Sequence, residues 1–373
     1  MTTLLRRVRA DSAARPPILP AVAALALVAS LLAACGSAVS APTASPITAP
    51  SAAVAATSAP TAAVTPAADV AAVTSAPTPS ADPAFPLTLT DDGGTAVTIP
   101  ARPQRIVSLT PAVTETLFAL GAGDRLVANS DFDDFPAEVT ALPHVASFTG
   151  VDVEKVVGMK PDLVIAGGNG FNPPEAIAKL RAVGIPVLVT YADSVDGILR
   201  DIELVGSAIG AGSASTALTA WMRDRIDAIA AAVKTARAGK LPTVFYELDA
   251  TKDIYGPAPD SFLASMIALA GGDPVTTGDP AVFAIPVEKL VAADPQVIVL
   301  GDAAYGTTPA DVAARPGWGG IAAVTSGAVR PVNDTIVTRP GPRIVDGLRA
   351  LALAIDPKLS LPDAGSPPPL PAP

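Results

Sequence analysis

The chain has 373 residues and a formal net charge of −10, from 25 Lys and Arg against 35 Asp and Glu. That balance argues against a nucleic-acid surface, which would need a basic patch. There is one cysteine, Cys35, and one histidine, His144, so an intramolecular disulfide, a cysteine-based metal site and a multi-histidine zinc site are excluded. We therefore expect no resident metal ion and no cofactor.

The N-terminal residues predict a secretory signal. A basic start at residues 6–9 precedes an uncharged, Ala/Leu-rich run, Ile18–Ala34. The run ends in Leu32-Ala33-Ala34-Cys35-Gly36, which resembles the lipidation motif of bacterial lipoproteins. We expect residues 1–34 to be a signal peptide that is removed. Acyl chains on Cys35 would then anchor the protein to a cell membrane on its extracytoplasmic side. An uncleaved signal-anchor helix is the alternative.

Low-complexity segments flank the part of the chain that is expected to fold. Residues 35–84 are rich in Ala, Pro, Thr and Ser, and residues 360–373 are rich in Pro. Neither segment has a periodic apolar pattern, so neither buries enough surface to offset its ordering entropy. We expect a disordered tether and a disordered tail. The folded part between them, residues 85–359, is large enough to divide into two lobes.

The first elements of the folded part are a hairpin, a strand and a helix. Alternating residues on both sides of a Gly-rich turn predict a β-hairpin over Leu87–Ile99. A buried strand at Arg105–Leu109 then meets Thr110-Pro111, which suit the N-cap and first position of a helix that Gly121 ends. Further strand and helix signals alternate: 162–166, 174–183 and 187–191. This alternation predicts a mostly parallel sheet covered by helices.

The pattern changes at residues 213–238. Apolar residues recur there at helical spacing from Leu218 to Val233, with charged residues between them. At 1.5 Å per residue this helix is roughly 35 Å long, enough to join one lobe to the next. A second alternating series follows: 243–247, 261–269, 297–300 and 329–332. The lobes are therefore expected at residues 85–212 and 239–359.

An internal repeat indicates that the two lobes are alike. Val153–Gly167 matches Val287–Gly301 without a gap, at an offset of 134 residues. Each copy predicts a short helix, a Pro that stops it and a buried strand, and the long helix lies between the copies. The repeat puts Glu154 and Glu288 at equivalent positions in the first turns of their helices. A carboxylate also suits the helix dipole there, so two ordinary surface residues are the alternative.

At this point the sequence resembles a known family. The segment Arg105–Glu115 is similar to the opening motif of the cobalamin- and ferric-siderophore-binding proteins of ABC importers, and three later segments fit the same family: Lys160–Ile165, Asp294–Val299 and Arg339–Arg343. The resemblance covers about residues 87–357. It implies two α/β lobes with mostly parallel sheets joined by a single long α-helix, the class III or helical-backbone metal receptor type.

The resemblance also implies a function. Members of this family are monomeric, non-enzymatic binding components that capture a corrinoid or a ferric siderophore and deliver it to an ABC permease dimer with its ATPase subunits. One surface Glu on each lobe docks on arginines of the permease, and Glu154 and Glu288 stand where that pair would be. Complementary charges of this kind help orientation and association rate more than affinity.

The ligand pocket is expected between the lobes, at loops that follow the carboxyl ends of strands. The predicted ligand-binding residues are aromatic or polar residues of these loops: Thr110, Pro111, Phe132, Phe135, Phe148, Tyr246, Glu247, Asp249, Phe283 and Arg339. Large rings suit a macrocycle or a catecholate, and Arg339 suits an anionic group. Arg343, expected one turn into a helix, is assigned a structural role. The alternative for the three rings between residues 132 and 148 is packing under a loop.

Within this resemblance, the loop Ser130–Pro136 favours a corrinoid over a siderophore, whereas cobalamin binders often carry Trp where Phe148 stands. Two other classes of protein stay open. A non-transporting sensor or scaffold lipoprotein would share the fold but would not need Glu154 and Glu288. An extracytoplasmic hydrolase would need a G-x-S-x-G nucleophile elbow, which the sequence lacks.

Overall fold

A computed structural model describes Asp82 and residues 84–370, apart from residues 169, 238 and 364. The predicted signal peptide, Cys35 and nearly all of the predicted tether lie outside the described residues. The described residues all belong to one compact unit, Val73–Pro373. Within this part of the chain, no helix is both long enough and apolar enough to cross a membrane.

The first lobe opens with an antiparallel hairpin of β1 (Leu87–Thr90) and β2 (Ala96–Ile99). Six further strands form one sheet: β3 (Ile106–Ser108), β4 (Leu126–Ser130), β5 (His144–Ser147), β6 (Gly150–Val151), β7 (Leu163–Gly167) and β8 (Val187–Thr190). Their spatial order is β6-β5-β4-β3-β7-β8, and only the pairing of β5 with β6 is antiparallel. The helices of this lobe are α1 (Pro111–Ala119), α2 (Val153–Gly158), α3 (Pro174–Ala182) and α4 (Val195–Ala208).

The bridge is α5 (Gly212–Ala236), a single helix of 25 residues. Four parallel strands form the second sheet: β9 (Thr243–Glu247), β10 (Asp273–Pro274), β11 (Val297–Leu300) and β12 (Val329–Pro331). Their order is β10-β9-β11-β12. The remaining helices are α6 (Phe262–Leu269), α7 (Val287–Ala293), α8 (Pro309–Ala314), α9 (Ala322–Thr325), α10 (Asp334–Thr338) and α11 (Ile344–Ile355). The predicted fold class, two α/β lobes joined by one long helix, is confirmed.

Local sequence signals explain the bounds of α1. The Thr110 hydroxyl accepts a hydrogen bond from the backbone N–H of Val113 at 3.3 Å, and Pro111 occupies the first helical position. Gly121 has a φ of +73°, which a residue with a side chain rarely adopts, so the helix ends there. This places Thr110 and Pro111 directly after the carboxyl end of β3.

A continuous apolar core joins the lobes behind α5. Its buried face repeats at helical spacing: Leu218, Met222, Ile226, Ile229 and Val233. The same cluster of buried residues contains Ile106 and Leu188 of the first lobe and Val244 and Leu348 of the second. The long helix is therefore packed along its length rather than exposed between separate lobes, and this packing restricts how far the lobes can move apart.

The internal repeat extends to the backbone. Lys160 and Asp294, which are equivalent in the repeat, are both non-glycine residues with a positive φ, +52° and +44°. Asp162 accepts backbone hydrogen bonds at the start of β3, and its counterpart Gln296 accepts one from Thr243 at the start of β9. The two copies therefore have the same turn and the same link to the neighbouring strand.

The Pro-rich C-terminal residues form no helix or strand where they are described, at 360–363 and 365–370. Leu361 packs against the main apolar cluster, and Arg349 donates a hydrogen bond to the carbonyl of Pro362. Disorder of this tail stays a prediction, as do the domain bounds assigned from the sequence.

Candidate functional site

A cleft of about 1000 Å³ lies between the two lobes. On the first lobe it is lined by residues that directly follow strands, such as Thr110 after β3, Gly168 after β7 and Tyr191 after β8. On the second lobe Leu248, directly after β9, and residues of α10 line it. The cleft thus lies at the carboxyl ends of the parallel strands, where the topology of α/β sheets predicts a ligand.

Six of the ten predicted ligand-binding residues line this cleft: Thr110, Pro111, Phe132, Phe148, Phe283 and Arg339. The rings of Phe132 and Phe148 pack edge to face with their centroids 4.6 Å apart. Phe148 is 95% exposed, so it stands at the rim rather than under a loop. Contact between these six residues and a ligand stays a prediction.

Tyr246 does not line the cleft, because helices cover both faces of the β9 strand and bury it completely. Its hydroxyl donates a hydrogen bond to the Asp334 carboxylate at 2.8 Å. Burial, followed by the negative charge of Asp334, raises the pKa of Tyr246 above its ordinary value. Asp334 itself lines the cleft, so the buried Tyr246 holds a residue of the cleft lining in place from inside the second lobe.

Glu247 is likewise buried inside the second lobe, and not exposed in the cleft. It accepts two hydrogen bonds from the guanidinium of Arg315, at 2.5 and 2.7 Å, and that guanidinium lies 4.6 Å from the ring centroid of Trp318. Burial raises the pKa of Glu247, and the Arg315 charge opposes this shift. A carboxylate that is paired at this depth is engaged within the lobe and is not available to a ligand.

Phe135 and Asp249 also lie away from the cleft lining. The Arg343 guanidinium lies 4.3 Å from the ring centroid of Phe135, which makes a cation–π contact. The Asp249 carboxylate accepts hydrogen bonds from the backbone and hydroxyl of Thr251, both at 3.0 Å, and so closes a local turn. Both side chains therefore make contacts within the protein rather than facing the cleft.

Arg339 is held by an ion cluster that crosses from the second lobe to the first. Its guanidinium donates to Asp134 at 2.5 Å, to Glu115 at 3.1 Å and to the carbonyl of Phe132 at 3.1 Å. Arg343 donates to both oxygens of Glu115, at 2.8 and 2.5 Å. Two carboxylates therefore already pair with Arg339 in this structure, and its pairing with an anionic ligand stays a prediction. Arg343 has the structural role expected of it, at the N-cap of α11 rather than one turn inside.

Sequence reasoning missed several aromatic residues of the cleft. Seven rings line it: Phe132, Phe148, Phe171, Tyr191, Phe262, Phe283 and Tyr305. They include five of the nine phenylalanines and two of the four tyrosines of the chain. Phe171, Tyr191 and Tyr305 each stand within a few residues of the end of a strand. That signal would have found them had it been applied to β7, β8 and β11.

The cleft wall of the first lobe also carries acidic groups. Asp193 and Asp201 both line it, and Asp92 of the hairpin turn hydrogen-bonds to Asp201. Burial, followed by the charge of Asp92 and that hydrogen bond, raises the pKa of Asp201 to about 8. At neutral pH this carboxyl group therefore carries a proton.

The two predicted docking residues are exposed on α2 and α7. Glu154 and Glu288 each occupy the first turn of their helix, and neither makes a hydrogen bond or an ion pair to another described residue. The next residue in each copy, Lys155 or Lys289, donates to a backbone carbonyl, at 2.7 and 2.5 Å respectively. Each lysine side chain therefore contacts its own lobe. The neighbouring glutamate is the charged side chain of its helix that has no such contact.

His144 begins β5 and does not belong to the cleft lining. Its Nδ1 lies 2.8 Å from the side-chain oxygen of Asn129. Within residues 82–370, as described above, no group of three His, Cys, Asp or Glu side chains is arranged to hold a metal ion.

The fold and the cleft define a two-lobed binding protein, and comparison with known proteins places it in a family. The sequence model described as periplasmic binding protein matches residues 106–334. This match covers more than half of the chain, so the protein belongs to that family, which is made up of binding proteins. The family resemblance seen in the sequence is confirmed.

Curated relatives cover most of the folded part. An uncharacterized ABC transporter substrate-binding lipoprotein, YvrC of Bacillus subtilis, is 34% identical over 73% of this chain and 86% of its own length. A cobalamin-binding protein of Halobacterium salinarum is also 34% identical, over 73% of this chain and 74% of its own. Among solved structures, the periplasmic vitamin B12 binding protein BtuF of Vibrio cholerae aligns with a TM-score of 0.60 and 27% identity, over 68% of this chain and 97% of that one.

Proposed function

We propose that this protein is the extracytoplasmic substrate-binding component of an ABC importer. It captures a corrinoid or a ferric-siderophore complex between its lobes, performs no chemical reaction on it and delivers it to a permease dimer with its ATPase subunits. It acts as a monomer, held to the membrane by lipid on Cys35. The family and the named relatives support this role.

The observation that carries the proposal is the aromatic cleft between two α/β lobes. Its volume of about 1000 Å³ is at the upper end of the range for small-molecule pockets. Rings project from both walls, among them Phe148 and Phe171 on the first lobe and Phe283 and Tyr305 on the second. Large flat rings bury much apolar area at little entropic cost, which suits a bulky macrocycle or chelate.

A corrinoid is the preferred ligand within this class. Two groups of relatives are named for cobalamin or vitamin B12 binding, and the B12-binding protein of Vibrio cholerae covers two thirds of this chain. The test is calorimetric titration of the full-length protein with cyanocobalamin, ferric siderophores and heme. We expect saturable binding of the corrinoid, and binding of none of these ligands would contradict the proposed function.

Glu154 and Glu288 are proposed as the contacts with the permease. A helix that leads into a parallel strand runs back along the sheet, so its first turn lies at the carboxyl ends of the strands. Glu154 of α2 and Glu288 of α7 therefore both lie at the carboxyl ends of the strands of their lobe, where the cleft opens. One acidic residue on each lobe at this end of the strands would orient the open side of the cleft toward the transporter.

Uptake measurements test the docking residues. Reversing both charges, Glu154→Lys with Glu288→Lys, is expected to lower uptake of the ligand by about tenfold or more while titration shows unchanged ligand binding. The matched control is Asp224→Lys with Asp227→Lys, two exposed acids in the middle of α5 and away from any helix N-terminus, which should transport normally. Normal uptake by the docking variant would instead favour a sensor or scaffold role.

A further inference from the structure

The charges that face the cleft indicate which ligands it accepts, on the premise that the proposed role in chelate import is correct. Apart from two tyrosines, the ionisable residues among the described lining are four acids and one base: Asp193, Asp201, Asp260, Asp334 and Arg339. The lining described for this cleft includes no lysine and no histidine. An aromatic cavity with such a lining has few positive charges that could bind a negatively charged ligand.

The single base of this set is already neutralised. Arg339 contacts the carboxylates of Asp134 and Glu115 and the carbonyl of Phe132, as described above. Burial lowers the pKa of Arg339, but the hydrogen bonds and charges of Asp134 and Glu115 outweigh it and raise the pKa overall. The guanidinium is thus a permanent cation that is already paired with two anions. It contributes no net positive charge to the cavity.

The acids are distributed over both walls. Asp193 is exposed on the first wall and Asp260 is exposed on the second, and neither forms an ion pair with a described residue. Asp334 is engaged by the hydroxyls of Tyr246 and Thr338, at 2.8 and 3.0 Å. The two exposed carboxylates therefore dominate the field that a bound chelate experiences at neutral pH. The positive charge that acts on Asp201 is Arg200, and Arg200 is not part of the lining.

We propose that the cleft selects metal chelates without net negative charge, such as corrinoids and neutral or cationic hydroxamate complexes, and rejects polyanionic chelates such as ferric tris-catecholates. Asp193 and Asp260 are the specificity-determining residues. A polyanion entering the cleft loses its hydration shell and finds no unpaired cation in exchange, while carboxylates on both walls repel it. A neutral or cationic chelate meets the same aromatic surfaces without that cost.

Calorimetric titration of the full-length protein in detergent tests this directly. Three probes differ in charge: neutral cyanocobalamin, an iron trihydroxamate with a free ammonium group, and an iron tris-catecholate. We expect saturable binding of at least one of the first two and at least about tenfold weaker binding, or none, of the tris-catecholate. Tris-catecholate binding as tight as that of the best neutral or cationic probe would overturn the charge selection but leave chelate capture standing. Absence of binding by all three probes would overturn chelate capture itself.

Variants test whether the two named carboxylates are responsible. Asp193→Lys is combined with Asp260→Asn, because Asp260 has a φ of +57° that Asn tolerates better than Lys. The matched control makes the same charge change on the exposed face of α5, Asp224→Lys with Asp227→Asn. We expect the cleft variant, and not the control, to bind the tris-catecholate about tenfold more tightly than the unaltered protein. Equal affinity in both variants would overturn the assignment to Asp193 and Asp260.

Discussion

The carboxyl group of Asp201 keeps a proton at neutral pH because it is buried beside Asp92. Its ordinary pKa of 3.8 rises to about 8, and the neighbouring charge of Asp193 acts in the same direction, whereas Arg200 opposes it. The folded protein therefore binds a proton that the unfolded chain releases at much lower pH. This group contributes its full stabilisation below its ordinary pKa, and that contribution is lost as pH rises through about 8.

Replacing Asp201 with Asn should reduce the pH dependence of stability. The amide can still donate a hydrogen bond to Asp92 but has no proton to lose. We expect the free energy of unfolding of the unaltered protein to fall between about pH 4 and about pH 8, and that of Asp201→Asn to fall clearly less. Urea unfolding at several pH values measures this, with the exposed Asp227→Asn as control. The same pH profile for the unaltered protein and Asp201→Asn would contradict the raised pKa of Asp201.

At the scale of secondary-structure elements, two helices of the second lobe meet at a glycine. A Cβ atom on Gly347 of α11 would overlap the backbone of Ile336 and Val337 in α10. The N-terminal part of α11 can pack this closely on α10 because Gly347 has no side chain. Since α10 and its C-cap residue Arg339 line the cleft, this contact also fixes one wall of the site.

Gly347→Ala is expected to destabilise the protein by about 2 kcal/mol, because overpacking outweighs the better helix propensity of Ala. Gly158→Ala in α2 is the matched control, since a Cβ atom there would meet nothing within 4 Å beyond its chain neighbours and its own helix backbone. That control should be neutral or slightly stabilising. Urea unfolding compares the two, and equal effects at both glycines would show that α11 does not need this close approach.

At the scale of the whole molecule, the ion cluster around Glu115 sets how the lobes face each other. The Glu115 side chain is 2% exposed and receives both Arg339 and Arg343 from the second lobe. The apolar cluster behind α5 is continuous through the two lobes. One polar contact and one apolar contact thus both join the lobes, which favours a cleft that changes width only slightly.

Glu115→Gln should both destabilise the protein and loosen this contact, because two partly buried guanidinium groups lose their shared anion. We expect a loss of about 2–3 kcal/mol in the free energy of unfolding and faster amide exchange in α10. Asp196→Asn, which removes the exposed ion pair with Arg223, should cost less than about 0.5 kcal/mol. A similar small loss for both variants would contradict a structural role for the cluster.

The parts of the fold that could be predicted are those with local signals. The bounds of α1 follow from Thr110, Pro111 and Gly121, whose effects act within one helical turn. The hairpin, the alternation of strands and helices and the long α5 were likewise evident from periodicity. In contrast, the sequence analysis assigned no helix to α4 and no strand to β4 or β5. The helical spacing of Val195, Ile198, Ile202 and Val205 would have identified α4. The strands β4 and β5 are short and mix polar with apolar residues, so they carry a weaker signal.

The candidate site could be predicted in position but only partly in detail. Loops after strands gave Phe132, Phe148 and Phe283 correctly as residues of the cleft lining. Tyr246 could not be assigned, because sequence alternation does not tell which face of a strand is exposed when helices cover both faces. The pairing of Arg339 with Glu115 joins residues that are 224 positions apart in the sequence, and no local sequence pattern predicts such a contact.

Where the polypeptide enters the folded part has a mechanical consequence. The Asp82 carboxylate accepts a hydrogen bond from the backbone N–H of Ser213 at 3.0 Å, and the Phe85 ring lies against Gly210. The incoming chain is therefore fastened at the start of α5, the element that both lobes share. If the chain before Asp82 is tied to a membrane, as proposed, tension on it would act at the start of α5, at its junction with the first lobe. The second lobe, which carries the other wall of the cleft, would not be pulled directly.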